Sequence, residues 1–159
     1  MLNVRRVNYR DPADARALVM LLDAYARDPM GGGQGLAEDV KARLCSDLAA
    51  HPLASSFIAW RAEQAVGLVN CIEGFSTFAC QPLVNVHDVA VLASHRGRGV
   101  GQRMLALVEV LARERGACKL TLEVLSGNLG AVRLYERVGF APYALDPAMG
   151  HAQFFQKWL

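Results

Sequence analysis

No stretch of this 159-residue chain approaches the ~20 uninterrupted apolar residues that a membrane span needs. Its first residues, Met1-Leu2-Asn3-Val4-Arg5-Arg6, lack the apolar core of a secretory signal, so the expected location is the cytoplasm, with no membrane partner. Cysteine is scarce and unpatterned. Cys45, Cys71, Cys80 and Cys118 form no CxxC pair and have no histidine at ligand spacing, so reduced thiols are expected rather than a zinc or redox site. A net charge of +2 is too small to point to nucleic acid, and repeats, low-complexity tracts and linkers are missing. Hydrophobic residues at 53% against 20% charged describe a chain that folds. This length buries a core without disulfides or a structural metal, and one domain over 1–159 is expected.

Hydrophobic spacing gives an element order. Val4 to Tyr9 predicts a short strand, and Asp11-Pro12 supplies a cap and first residue for a helix to about Arg27, with Leu18, Leu21, Leu22 and Tyr25 on one face. Gly31 to Gly35 breaks it, and a second helix runs from about Leu36 to Ala50. Phe57–Trp60 and Ala65–Ile72 predict two strands joined by a turn at Arg61 to Gln64. A loop from Glu73 to Gln81 precedes a strand from Leu83 to Leu92. The period then changes to helical from Val100 through Arg115, and Gly116 is a stop. Lys119–Leu125 predicts a strand, Asn128–Val138 a short helix ending at Gly139, and Ala152–Leu159 a last strand. This order predicts an α/β (α+β) fold, a mixed and mostly antiparallel sheet flanked by helices.

Arg96-Gly97-Arg98-Gly99-Val100-Gly101 lies where a strand gives way to a helix, where free backbone N–H groups and a positive helix end receive phosphate. The Walker spacing fails for want of Gly-Lys-Ser/Thr. The dinucleotide pattern fails because its third glycine falls on Gln102 or Met104. A glycine-eased turn with solvated arginines is the structural alternative.

Arg96-x-x-Gly99-x-Gly101, after Val89-Ala90-Val91 and before an amphipathic helix, resembles the acetyl-CoA motif of GNAT acetyltransferases. Downstream, Asn128-x-x-Ala131-x-x-Leu134-Tyr135-x-x-x-Gly139-Phe140 is similar to that family's second coenzyme A and catalytic segment. The resemblance covers roughly Leu83 to Phe140. It departs at Ala93, where many members carry proline. It implies acetyl-CoA as co-substrate, backbone groups of Val89, Ala90 and Val91 along the pantetheine arm, and N–H groups from Gly97 through Arg98, Gly99, Val100 and Gly101 to Gln102 at the pyrophosphate. Arg96, Asn128, Ala131 and Tyr135 are implied cofactor contacts, a homodimer is implied, and no metal is expected.

Such a site has three chemical needs. An alkylammonium with a pKa near 10.4 is neutral only to roughly 0.04% at pH 7, so a base must take its proton. Charge developing on the thioester oxygen needs a donor, such as the N–H of Val91, and the leaving thiolate needs an acid. By resemblance Tyr135 is the acid; as a bare residue it is equally a packed helix tyrosine. His87 and Asp88 precede Val89, and strand alternation sends only one of them to the cleft. Polyamine and arylalkylamine acetyltransferases resemble this stretch, with a carboxylate or a histidine at position 87. That makes His87 the base and Asp88 a partner for the substrate ammonium or a structural carboxylate, with a water relay to Glu73 as another route. Glu73, Asp88 and Asp28, with Phe75 and Phe78, sketch an acceptor pocket for a small-molecule amine. Acetylation of a protein N-terminus or lysine, and a coenzyme A sensor without turnover, are the competing readings.

Overall fold

A capped helix and four antiparallel strands set the architecture before any site is formed. The computed structural model describes every residue from Met1 to Leu159. It divides into two compact units, Met1–Leu122 and Glu123–Leu159.

In the first unit, strand β1 (Leu2–Arg6) leads into helix α1 (Pro12–Arg27). The Asp11 carboxylate accepts from the N–H groups of Ala13 and Asp14, and Pro12 sits in the first turn, where a missing N–H costs nothing. Helix α2 (Glu38–Ala50) starts two residues later than the spacing predicts: Ala37 is extended at the N-cap, and the Leu36 N–H before it donates to the Asp23 carboxylate. Strands β2 (Ala54–Arg61), β3 (Gln64–Ser76) and β4 (Gln81–Val91) follow, then helix α3 (Val100–Glu114) and strand β5 (Leu120–Leu122). The sheet order is β1-β2-β3-β4-β5, antiparallel except for the β4/β5 pair.

β3 and β4 run further than the predicted loop from Glu73 to Gln81 allows, with pairing continuing to Ser76 and Gln81. Beyond Cys71 no residue of β3 is buried, so its hydrophobic signal fades while its backbone ladder persists. One face of the sheet carries α1 and α2 over Val7, Leu18, Leu21, Ile58, Leu68 and Ala90. α3 buries Val100, Met104, Leu105, Val108 and Leu111 and packs on β2, β3 and β4. Gly67 permits its closest approach: a Cβ there would lie 2.9 Å from Val100 Cγ1 and 3.1 Å from Met104 Cε. No helix is long and apolar enough to cross a membrane.

In the second unit, helix α4 (Leu129–Arg137) begins at Asn128, whose side-chain oxygen accepts the Ala131 N–H at 3.2 Å. Gly139, at φ 98°, turns the chain so that the Phe140 N–H reaches the Tyr135 carbonyl, and the two rings meet edge to face at 5.9 Å. The predicted strand from Ala152 to Leu159 does not form. A strand exists only within a ladder, no neighbour pairs with this segment, and Phe154, Phe155 and Trp158 stand exposed.

Asp14 is the most deeply buried charge, at 1% exposure. It accepts from both terminal nitrogens of Arg5 and from the Asn8 N–H, tying β1 to α1, and the Arg5 guanidinium holds its carboxyl below the usual range. A lowered folded-state pKa gives stability that is present above the ordinary carboxylate value and lost as pH falls through the folded one. Asp14→Asn is therefore expected to cost about 2 kcal/mol at pH 7, below the full cost of breaking a buried pair because Arg5 is half exposed. Urea unfolding from pH 7 downwards should show the gap between variant and parent closing below about pH 4. A gap that holds steady across that range would rule out the charged contact as its source.

Candidate active site

Strand β4 carries one residue more than the strand beside it. Asn70 lies opposite Asp88 and Cys71 opposite Val86, leaving His87 as the extra residue of a β-bulge. In an unbroken strand Val86 and Asp88 would share a face. Here Val86 pairs in the row of Cys71 and Ser55, which line a small cavity with Leu111 of α3, while Asp88 pairs in the row of Asn70 and Ser56. The simple alternation expected for His87 and Asp88 is thus suspended at the bulge. His87 is exposed; Asp88 is half-buried and accepts from Asn70 Nδ2 at 2.9 Å.

The same irregularity ends the pairing with β5, which joins β4 only at Val84, Asn85 and Val86. From Asp88 to Val91 the strand has β3 as its only neighbour in the sheet. The edge along Val89, Ala90 and Val91 has the form that an extended chain can join.

Ala93 opens a short 3-10 turn, Ala93–His95, and Arg96 then folds back. Its Nε donates to the Val91 carbonyl at 3.0 Å and its Nη2 to Asp28 Oδ2 at 2.8 Å. That contact, with the Met30 N–H, holds the Asp28 carboxyl below the usual range. The Arg96 side chain therefore fastens the loop, and Asp28, expected near an amine, already has a cation. Gly97 and Gly99 take left-handed φ values of 72° and 76°, which side chains resist, and nothing lies within 4 Å of a Cβ built on either. Gly99 is the N-cap of α3 and makes no side-chain cap, and the first intrahelical bond is Arg103 N–H to Gly99 O. The N–H groups of Val100, Gly101 and Gln102 consequently have no helical acceptor, beside the exposed Arg98. An open, glycine-led helix start of this kind suits a pyrophosphate.

The residues from His87 to Gln102 thus form one continuous strand, turn and helix. Glu73 is apart from them: it lines the α3-side cavity and faces Arg115 at 3.9 Å. Phe75 and Phe78 are exposed near the tip of the β3–β4 hairpin. In the second unit Asn128 caps α4 with Ala131 as its donor, and Tyr135 is buried. Sequence reasoning missed Tyr9, Ser56 and Asn70, which lead to Asp88. The signal was present, since Ser56 and Asn70 are polar residues inside apolar strands. Tyr25 of α1 feels both acidic groups: burial first, then the charges of Asp88 and Asp28, push its phenol up.

Against known proteins, a model of the acetyltransferase (GNAT) family matches residues 16–140. A streptothricin acetyltransferase of Streptomyces lavendulae is 38% identical over 88 residues, 54% of this chain and 47% of that protein. The uncharacterized N-acetyltransferase YobR of Bacillus subtilis (strain 168) is 32% identical over 78 residues, 49% of this chain and 28% of that protein. The matched part is less than half the length of either curated relative. Among solved structures, the aminoglycoside N-acetyltransferase AAC(6')-Iy in complex with CoA superposes with a TM-score of 0.77 at 17% identity, covering 99% of this chain and 95% of that one. At that identity the likeness is one of fold.

The fastening role of Arg96 is open to direct measurement. Arg96→Ala removes an exposed ion pair and a bond to a carbonyl, and amide hydrogen exchange at His95, Arg96 and Arg103, the hydrogen-bonded N–H groups that flank the glycines, should quicken by about tenfold. Unchanged exchange would mean that the glycine loop holds its shape without that side chain.

Proposed function

The chain belongs to the GNAT acetyltransferase family, which uses acetyl-CoA, and from that premise we propose that it transfers the acetyl group of acetyl-CoA to a primary amine of a small molecule by direct attack. The observation that carries this reading is the succession, within one strand-to-helix connection, of a strand edge without a neighbour at Val89–Val91 and an uncapped glycine-led helix start at Gly99. The first suits an amide-bearing arm, the second a pyrophosphate, and coenzyme A carries both in that order.

Acetyl-CoA supplies a thioester carbonyl as electrophile. The N–H groups from Gly97 to Gln102 hold its phosphates, and the backbone of Val89 and Val91 aligns the pantetheine arm. The Val91 N–H meets the charge that develops on the acyl oxygen. His87 takes the proton from the acceptor ammonium, freeing the lone pair that forms the new C–N bond. As the C–S bond breaks, Tyr135 protonates the departing sulfur; this role, like those of Asn128 and Ala131 as cofactor contacts, rests on the motif they occupy. Asp88 holds positive charge on the acceptor. Glu73 keeps its ion pair with Arg115 and serves the acceptor only through water.

Residues 1–159 act in this reading as one acetyltransferase domain. Four free cysteines suit the reducing cytoplasm. The exposed Tyr143, Phe154, Phe155 and Trp158 give a second copy apolar surface to cover, in keeping with a homodimer.

The test begins with an equilibrium titration of the protein with acetyl-CoA, alongside Gly99→Glu. The new carboxylate should weaken binding roughly 100-fold, about 2.7 kcal/mol, in a variant whose melting transition certifies its fold. Thiol release with a panel of primary amines then reads turnover. Tyr135→Phe should lower kcat about 100-fold with little change in acetyl-CoA affinity. His87→Ala should lower kcat/KM at pH 7, with the deficit shrinking towards pH 10 as the amine sheds its own proton. Failure of the folded parent to bind acetyl-CoA would overturn the reading; binding without thiol release from any amine would leave a sensor.

A further inference from the structure

Polar side chains buried in the middle of apolar strands need an account. Ser56 of β2 and Asn70 of β3 are 1% and 6% exposed, they lie opposite one another, and Asp88 of β4 lies opposite Asn70. The three make a row across the sheet, which Tyr9, beyond β1, extends. Tyr9 OH and Ser56 Oγ are 2.9 Å apart, Ser56 Oγ donates to Asn70 Oδ1 at 2.6 Å, and Asn70 Nδ2 donates to Asp88 Oδ2 at 2.9 Å.

The chemistry of the groups fixes the direction of this row. A carboxylate only accepts, so Asn70 turns its NH2 to Asp88 and its carbonyl to Ser56. The single Ser56 proton goes to that carbonyl, which leaves the Tyr9 phenol as donor to the Ser56 oxygen. Burial pushes the Tyr9 phenol up, so it keeps the proton that this role requires. Every donor therefore points towards Asp88. An amide hands on no proton without changing tautomer, so the row orients and does not conduct. The row thus fixes the position of one carboxylate oxygen of Asp88.

Counter-charges decide what this anion is for. Asp14 is paired with Arg5, Asp23 with Arg27 and Lys41, and Asp28 with Arg96. Asp88, half-buried beside the bulge, has a neutral amide as its partner and a second oxygen that takes no hydrogen bond from the chain. A partly desolvated carboxylate without a cation is costly unless a ligand brings one.

We infer that Tyr9, Ser56 and Asn70 are positioning residues that hold Asp88 Oδ2 from within the sheet and so present Oδ1 to the ammonium group of the acceptor. This rests on the acetyltransferase reading and names the residues that set its acceptor affinity. The Tyr9 hydroxyl is at the far end of the row, two residues removed from Asp88, so its influence on a ligand has to pass through Ser56 and Asn70.

The test is calorimetric titration of the protein saturated with coenzyme A, using 1,4-diaminobutane, spermidine and neamine in turn, with aniline, neutral at pH 7, for comparison. It needs no turnover. At least one cationic amine should bind the parent more tightly than aniline. Asn70→Leu should weaken that amine about tenfold and Tyr9→Phe about threefold, with coenzyme A affinity kept within twofold. Ser56→Ala should fall between them and Ser56→Thr should return to the parent value, a rescue that loss of packing alone does not give. Tyr9→Phe removes one oxygen atom and guards against misfolding in the larger changes. Parent-like amine affinity in Tyr9→Phe and Asn70→Leu, or no preference of the parent for cations, overturns the inference while leaving the transferase reading intact. Failure to bind coenzyme A overturns both.

Discussion

The extra residue at His87 is the constraint on which the site depends. A β-ladder repeats every two residues, so one inserted residue exchanges the faces of everything beyond it. Before the bulge, the inward residues of β4 serve the α3 side with Cys71 and Val84; after it, Asp88 and Ala90 join the rows of Asn70 and Leu68. The interruption also coincides with the last β4/β5 pair at Val86 and Leu122. A single local irregularity thus changes the polar neighbours of one carboxylate and frees the edge along which an extended ligand can lie.

Charge pairing divides the acidic residues of the first unit into different kinds of work. Asp14 is spent on the structure, closing β1 against α1 through Arg5 and the Asn8 N–H. Asp28 is spent on the loop, since Arg96 bridges it to the Val91 carbonyl and so connects the segment after α1 with the start of the glycine turn. The second contact occupies the Arg96 guanidinium, while the N–H groups of Val100, Gly101 and Gln102 at the start of α3 have no helical acceptor. Backbone donors at a helix start are fixed by the fold and lose little freedom on binding. Asp88 differs from both because its neighbour is neutral. Tertiary pairing, and not residue type, separates a structural aspartate from one available to a ligand.

Much of this was written in local pattern. Asp11-Pro12, the stripe through Leu18 and Leu21, the turn after Arg61, and the change of period at Val100 each rest on neighbours within a few residues, and each appears as expected. Gly99 was legible for the same reason: a glycine between a strand and a helical period marks a turn in the left-handed region, and here it forms the N-cap of α3. Strand ends were less legible. The hydrophobic signal reports burial, whereas β3 stays paired with β4 past Ile72 although its own residues there are no longer buried, and the aromatic tail from Ala152 has the composition of a strand without a ladder to join.

By itself, then, the sequence determined the element order as far as α4, the glycine-led start of α3 and the family, because caps, periods and glycine positions are short-range physics and the two motifs are contiguous. Only the tertiary structure decided that His87 is a bulge, that Arg96 reaches Asp28 across 68 positions of chain, and that Tyr9, Ser56 and Asn70 converge on Asp88. These depend on strand register, which is set jointly by two strands and the helices packed against them. A hydrogen bond between residues far apart in sequence leaves no periodic trace in either one. Its only sequence signature was polarity where apolar residues belonged, at Ser56 and Asn70, and partners for those groups exist only once the sheet has closed.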